Sequence, residues 1–441
     1  MARGKREPET AAIESATHDG RGIAAVTGKK VFVAGALQGE TVRFQRRKRR
    51  RNYDEAELLE VLDPSPARIK PRCAVFGRCG GCSLQHISED SQREIKQQTL
   101  ADSLERIGQV EPAQWLAPLF DTDEDGGWHY RRRARLAVKD VAAKGRVLVG
   151  FREAHAPYVC DMQRCEVLGK PVAELLLPLS ELVGGLSIRR RLPQIEVAIA
   201  DDCTALVFRV LDPPSAADIE ALRSFGDRYD IRIGLQPGGP ATVESLDGGS
   251  LALSYTLPEF SVDIEFGPTD FVQVNGLVNR MMVSKALQLL DVGPDSTVLD
   301  LYCGIGNFSL PLARRAGRVL GVELESRQVE RGRQNAERNG IDNCEFRVAD
   351  LADISGDEAW LADGWDRMLL DPARSGAREI VESANVIGAA RIVYVSCHPG
   401  TLARDAGILV NEKGYRLEAA GIIDMFPHTG HVESLAVFQK S

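Results

Sequence analysis

From residue 266 to the C-terminus the chain repeats one pattern: a short apolar run, a carboxylate or glycine turn, then a stretch of helical periodicity. The runs are Val298-Leu-Asp300-Leu301, Val319-Leu-Gly-Val-Glu323, Phe346-Arg-Val-Ala-Asp350, Leu369-Leu-Asp371 and Ile392-Val-Tyr-Val395. Buried strands alternating with helices predict a doubly wound, Rossmann-like α/β sheet. Ligands of such sheets bind outside the carboxyl ends of the strands. Any one strand may end in an acid by chance. Asp300, Glu323, Asp350 and Asp371 at successive strand ends mark a site.

The rest of the chain reads differently. Residues 13–62 hold short alternating segments (Gly28 to Val33, Thr41 to Phe44, Glu57 to Leu62) between glycine-rich turns, the pattern of a small OB-like β-barrel. Pro64, Pro66 and Pro71 mark a linker, and 88–107 reads as a polar helix with Ser88 as N-cap and a stripe of Ile95, Leu100 and Leu104. From 128 to 265 strand-like runs and turns alternate, among them Arg133 to Val138, Val147 to Phe151, Leu206 to Val210 and Leu251 to Tyr255. The expectation is a multidomain α+β and α/β protein, with a barrel at 1–63, a central β-rich domain at 64–265 and the doubly wound domain at 266–441.

Charge is divided the same way. Residues 1–72 carry 16 Lys+Arg against 10 Asp+Glu, a local net of +6, whereas the remainder carries 39 against 53, a net of −14. Arg46-Arg-Lys-Arg-Arg-Arg51 places six cations in a row. Such a block repels itself, and phosphate contact is its expected use. The first ten residues are charged and lack an apolar segment, and no run approaches the ~18 apolar residues of a membrane span. Nine cysteines, unevenly clustered, point to metal and catalytic roles in a reducing, cytoplasmic setting.

Three of those thiols, Cys73, Cys79 and Cys82, fall within ten residues, and Gly80 and Gly81 let the backbone wrap closely. They read as three corners of a metal site, with Cys160 or Cys165 available as a fourth. Zinc suits four thiolates equally well, but structural zinc sites usually show two close cysteine pairs. The spacing therefore leans towards iron–sulfur. A radical enzyme would use a tighter triplet.

Cys397 follows the run Ile392 to Val395 and so lies at a carboxyl strand end, while Gly304-Ile-Gly306 follows Val298 to Leu301. A glycine turn after a strand suits any nucleotide-type cofactor; a dinucleotide fold would want a third small residue, and Ser309 takes that place. Glu323, 17 residues beyond Gly306, is where an acid binds ribose hydroxyls, and Asp350 is placed to cap an adenine edge. An isolated cysteine is more often structural than reactive. A methyl-donor loop and a cysteine on one sheet suit covalent catalysis on an electron-poor ring such as uracil. Near the C-terminus, His428 and His431 resemble a metal pair without further ligands, and Glu433 is the sharper candidate, as a general base.

Together these residues resemble the bacterial family of S-adenosylmethionine-dependent RNA uracil-C5 methyltransferases, above all its members that act on 23S rRNA. The resemblance runs from about Ile13 to Phe438. His18-Asp-Gly-Arg-Gly22, Val31-Phe-Val-Ala-Gly35 and Gly39-Glu40 look like a TRAM barrel, an RNA-binding module. The resemblance implies that Cys73, Cys79, Cys82 and Cys165 ligate a [4Fe–4S] cluster, leaving Cys160 spare. It places Gln273, Tyr302, Asn307, Glu323, Asp350 and Asp371 at the S-adenosylmethionine site, with Cys397 as nucleophile and Glu433 as base. It also implies a monomer that binds 23S rRNA and no membrane. Gln38 stands where the family commonly has proline, and the basic run is denser than usual. The alternatives are another rRNA or tRNA uracil-C5 methyltransferase, and a noncatalytic iron–sulfur RNA-binding factor. The intact cofactor positions disfavour the second.

Overall fold

The computed structural model describes residues 7–354 and 358–441. Two compact units emerge: one from residues up to 98 with 152–160 and 426–431, the other from 99–151, 161–425 and 432–441.

In the first unit, β1 (Glu9–Ala12), β2 (Ser15–Ala16), β3 (Arg21–Val26), β4 (Lys29–Ala34), β5 (Thr41–Arg49) and β6 (Tyr53–Asp63) form one sheet in the order β1-β5-β6-β4-β3-β2. β1 and β2 are its two edges, yet only Ile13 and Glu14 separate them in the chain, so the sheet curls back on itself as a barrel. Alternation along the strands turns Val31, Val33, Val42 and Phe44 inward, all fully buried. The turn into Glu40 uses Gly39 at φ +84°. The buried Glu40 carboxylate accepts from Leu37 N–H at 2.8 Å, Ser65 N–H at 3.2 Å and the Arg68 guanidinium at 2.7 Å, closing the barrel onto the chain that leaves it.

The basic run is not a uniform phosphate-facing strip. Arg46 is turned in, 8% exposed, and donates to both oxygens of Glu9 at 2.8 Å and to Asp54 at 2.6 Å. Asp54, 1% exposed, also accepts from Lys29 at 2.6 Å. Arg47 pairs with Glu57, and Lys48 and Arg50 lie 3.5 and 3.8 Å from Glu55. Those outer pairs are solvent-exposed and worth little. The antiparallel register of β5 against the acid-rich β6 explains the pairing, a cross-strand relation that the run alone does not show.

The first part of the helix Glu89–Ser103 also belongs to this unit. Its buried positions are Gln92 and Lys96, while Ile95 is only half-buried. Gln92 donates to Ile87 O at 2.8 Å and accepts from His428 N–H at 2.8 Å, and Lys96 Nζ donates to Phe426 O at 3.0 Å. Of the expected apolar stripe, Leu100 and Leu104 are buried, and the polar side chains buried on the same helix hold the backbone of 426–428.

In the second unit, β7 (Gln114–Trp115) precedes a mixed sheet built from β8 (Arg133–Val141), β9 (Arg146–Gly150), β10 (Gln194–Ile199), β11 (Thr204–Arg209), β12 (Arg232–Gln236) and β13 (Glu244–Ser245), in the order β13-β12-β11-β10-β8-β9. This region is less purely β than its turns suggest. The parallel pair β11/β12 requires a crossover, supplied by helix Ala216–Tyr229, whose start carries a Ser215/Asp218 capping box. A hairpin of β14 (Leu253–Leu257) and β15 (Val262–Phe266) follows.

The doubly wound sheet comprises β16 (Thr297–Leu301), β17 (Arg318–Glu323), β18 (Cys344–Val348), β19 (Arg367–Leu370), β20 (Arg391–Ser396), β21 (Tyr415–Ile423) and β22 (Glu433–Lys440). Its order is β18-β17-β16-β19-β20-β22-β21-β7, parallel from β18 to β20, with β22 inserted antiparallel. Every expected strand of this domain is present. Among the described residues no helix is long and apolar enough to cross a membrane.

Burial opposes ionisation of Asp54, yet the Lys29 and Arg46 hydrogen bonds overcome it and hold its carboxyl at about 2, below the ordinary 3.8. Stability from this pair is therefore complete above about pH 4 and lost as pH falls through about 2. Arg46→Ala should cost the barrel ~3 kcal/mol in urea unfolding, because a buried carboxylate loses one of its two cations. The cost should shrink towards pH 2, and Arg49→Ala should stay within ~0.5 kcal/mol at any pH.

Candidate active site

Strand register assembles the site. β20 and β22 pair antiparallel with Ser396 opposite Ser434. Continuing that register by one residue sets Cys397 across from Glu433, on one face, with the Cβ separation of ~5 Å usual for such pairs. On the parallel side, Leu301 is level with both Val322 and Leu370, so Tyr302, Glu323 and Asp371 emerge at one height at the carboxyl end of the sheet. Tyr302 N–H to Val322 O at 2.9 Å and Asp371 N–H to Leu301 O at 3.3 Å carry that alignment past the last strand residues.

The glycine loop after β16 is built from unusual backbone. Tyr302 sits at φ +65°, Gly304 at φ +55° and Gly306 at φ +97°. A left-handed tyrosine at a strand end is strained, and such strain concentrates at functional sites. A side chain at Gly306 would come within 3.1 Å of Leu310 and 3.2 Å of Phe346. Glu323 accepts from Gly304 N–H at 3.3 Å through one oxygen, and from Leu324 N–H at 2.8 Å and Glu325 N–H at 3.1 Å through the other. Leu324 beside it is 59% exposed, an apolar surface at the carboxyl edge. Asn307 is tied to Tyr255 and Asn279, and Gln273 shares a shallow pocket with Tyr255, Asn279 and Arg132. Asp350 is exposed, and its carboxylate accepts from Ala352 N–H at 3.0 Å in its own turn.

The site is strongly acidic. Burial, with Glu379, Asp405, Asp350 and Glu323 around it, pushes the Tyr302 hydroxyl well above its usual range. Asp300 is fully buried, accepts from Ser309 Oγ, and leaves its Oδ1 with no donor among the described residues. Burial raises it to about 7. Burial, then Glu433 and Asp300, holds Asp371 well above the carboxylate range. A field of this sign suits a cationic ligand. Burial, then Glu433 and Asp371, likewise raises the half-buried Cys397 thiol to about 11, with Arg374 acting in the opposite direction. The thiol also lies one residue before the N-cap of helix Pro399–Asn411, where the helix dipole favours an anion.

The loop that carries Asp371 and Arg374 is fixed by residues that sequence reading left without a role. Asp405, fully buried, accepts from Ala377 N–H and Tyr394 O–H, each at 2.8 Å. Arg404 donates to Ser375 O at 2.9 Å and Thr401 Oγ1 to Arg374 O at 3.2 Å. Gly376 at φ +81° admits this approach, since a Cβ there would lie 2.6 Å from both Arg404 and Asp405. The only sequence sign was three polar residues, Thr401, Arg404 and Asp405, directly after the nucleophile motif.

The thiol triplet belongs to the first unit. Cys79 Sγ accepts from Gly81 N–H at 3.4 Å, and Cys73 N–H donates to the buried Gln85 at 3.1 Å. Gly80 packs against the backbone of Arg152 and Ala154, each 3.2 Å from where a Cβ would stand, so the loop wraps as closely as its glycines suggest. Backbone N–H donation to sulfur fits a thiolate that holds a cluster. Cys165 and Cys160 are both buried. Among the described residues, no three His, Cys, Asp or Glu side chains form a group able to hold a metal ion.

The electrostatics of Cys397 are open to measurement. Its alkylation by iodoacetamide, followed by peptide mapping, should keep accelerating with pH to about 11. Glu433→Gln removes a neighbouring negative charge and should lower the thiol pKa, giving faster alkylation at pH 8. An unchanged profile would mean that Glu433 does not face the thiol.

The family described as tRNA (Uracil-5-)-methyltransferase matches residues 261–441. The chain is 53% identical over 436 residues to the 23S rRNA (uracil(1939)-C(5))-methyltransferase RlmD of Alkalilimnicola ehrlichii, covering 99% of this chain and 97% of that protein. It is 50% identical to the RlmD of Methylococcus capsulatus, covering 99% of each. Among solved structures it superposes on the Pyrococcus abyssi tRNA (uracil-54, C5)-methyltransferase in complex with S-adenosyl-L-homocysteine, with a TM-score of 0.75, 25% identity, and coverage of 97% and 99%. With half its residues identical across nearly the whole length of both relatives, the chain belongs to the RlmD family of RNA uracil-C5 methyltransferases.

Proposed function

We propose that this chain methylates C5 of a uridine in 23S rRNA, with Cys397 as nucleophile and Glu433 as base. The register that sets Cys397 across from Glu433 at the carboxyl edge carries the reading. Gln273, Tyr302, Asn307, Glu323, Asp350 and Asp371 are the residues to hold S-adenosylmethionine. Its sulfonium suits the acidic field around Tyr302, and the glycine loop gives the close backbone approach that a nucleotide needs. When bound, that cofactor supplies an electrophilic methyl group.

Uracil C5 is a poor nucleophile until something adds to C6. Cys397 Sγ, as thiolate, forms the bond to C6, and the C5=C6 electron pair moves towards C5 and O4. After C5 has gained its methyl group it still carries its proton. Glu433 takes that proton, the C5=C6 bond reforms, and the C6–S pair returns to Cys397. Arg374 and the helix N-terminus favour the thiolate in the first step. A uridine within folded rRNA must leave its stack to reach the thiol.

The same reading assigns the barrel at 1–63 to TRAM-type RNA binding, 64–265 to a domain with a [4Fe–4S] cluster on Cys73, Cys79, Cys82 and Cys165, and 266–441 to catalysis. All catalytic and cofactor residues come from one chain, which suits a monomer. Reduced thiols in the cluster and nucleophile roles suit the cytoplasm.

The roles separate by order of action. Cys397→Ala should abolish both the covalent RNA adduct and 5-methyluridine. Glu433→Gln should attack and methylate, then stall as a methylated protein–RNA adduct on a denaturing gel. Methylation by Cys397→Ala, or wild-type turnover by Glu433→Gln, would overturn the assignment. For the cluster, anaerobically purified protein should be brown with about four iron and four sulfide per chain, as a four-thiolate cubane requires. Cys165→Ser should bleach it and Cys160→Ser should not. Colourless protein with stoichiometric zinc would sink that part.

A further inference from the structure

Asn307 is held more elaborately than a loop residue needs. Its Oδ1 accepts from Tyr255 O–H at 2.9 Å and from Asn279 Nδ2 at 2.9 Å, while its Nδ2 donates to Asn279 Oδ1 at 3.0 Å. Asn279 is 3% and Tyr255 9% exposed, whereas Asn307 is only half-buried. A carboxamide has two N–H groups. One of Asn307's is engaged by Asn279, and the second is left for a ligand.

The two amides alone do not determine which end of Asn307 faces the cofactor. If both rotated by half a turn, the reciprocal pair would survive with oxygen and nitrogen exchanged. Tyr255 removes that degeneracy. Its buried hydroxyl has one proton to place, and Asn307 Oδ1 receives it. After rotation the hydroxyl would face an NH₂ group and its own proton would have no acceptor, the costly kind of buried defect. We infer that Tyr255 and Asn279 are positioning residues that fix the direction in which Asn307 presents its amide, and so set cofactor affinity through Asn307. The inference rests on the reading of Asn307 as a cofactor residue.

Tyr255 is held firmly enough to do this. It lies on β14, whose partner β15 is stitched to helix Ser326–Arg338 and the residue after it. Asn335 accepts from Glu265 N–H at 2.9 Å and donates to Glu265 O at 3.1 Å. Asn339 accepts from Asp263 N–H at 2.8 Å and donates to Asp263 O at 2.7 Å. Asn335 Nδ2 also reaches Ile305 O in the glycine loop at 3.2 Å, so hairpin and loop share one anchor.

The test is a double-mutant cycle read as S-adenosylhomocysteine affinity by calorimetry on the full-length protein. Tyr255→Phe is nearly isosteric and should weaken binding roughly 3- to 10-fold. RNA affinity should not change. Asn307→Ala should weaken cofactor binding too, and adding Tyr255→Phe to it should then have no further effect. If Asn307→Ala binds as the wild type does, the cofactor reading of Asn307 fails and the inference falls with it. If Asn307→Ala weakens binding but Tyr255→Phe is silent, or weakens both backgrounds equally, the cofactor reading stands and the positioning role is overturned.

Discussion

The site depends on one pairing, β22 laid antiparallel between β20 and β21. A parallel strand in that slot would reach the carboxyl edge at its C-terminal end. An antiparallel one delivers its first residue there, and that residue is Glu433, beside the last turn of β20 and its Cys397. Side chains alternate with a period of two along a strand, so a slip of one residue in this ladder would send Glu433 to the opposite face. The apolar runs that fix the register, Ile392 to Val395 against Leu435 to Phe438, are buried almost completely. Catalytic geometry here follows from core packing.

Loop position is then fixed by saturating buried polar groups rather than by apolar contact. Asp405 holds the Asp371 loop through Ala377 N–H and Tyr394 O–H, and Asn335 and Asn339 occupy the exposed edge of β15 as a neighbouring strand would. Each of these side chains satisfies backbone groups that would otherwise lack these partners, and where such a group is buried its loss costs about 1–3 kcal/mol. Such contacts are directional, so they fix loops where dispersion alone would leave several packings close in energy.

This difference decides what the sequence disclosed. Strands β16, β17, β19 and β20 were legible because buried parallel strands read as continuous apolar runs, and Asp300, Glu323 and Asp371 because they end or interrupt those runs; in β18 only Phe346 is buried. Cys397 and Glu433 were legible singly, but their apposition was not, since it depends on where β22 inserts. Helix Ala216–Tyr229 was missed although Ser215 and Asp218 spell its capping box. Of the stripe expected over 88–107, Leu100 and Leu104 are buried and Ile95 only in part; Gln92 and Lys96 are buried too, because backbone carbonyl and amide groups await them, a demand set by residues more than 300 positions away. Arg46 is the same lesson in reverse. Its charge suggested a surface role, and the acids of β6 across the ladder turned it inward.

The acidity of the site looks at first like a defect. Burial first, then Glu433 and Asp371 beside it, raises the Cys397 thiol to about 11. Linkage gives the other half of the account. A field that disfavours a thiolate favours a cation, and whatever free energy a bound cation contributes to ionising Cys397 is returned as tighter binding of that cation to the ionised form. On the reading proposed above, a sulfonium held near Glu433 would therefore lower the thiol pKa as it binds. Without a cation there, burial and Glu433 favour the protonated thiol. On that reading, the charge that disfavours the bare thiolate also ties its formation to binding of the methyl donor.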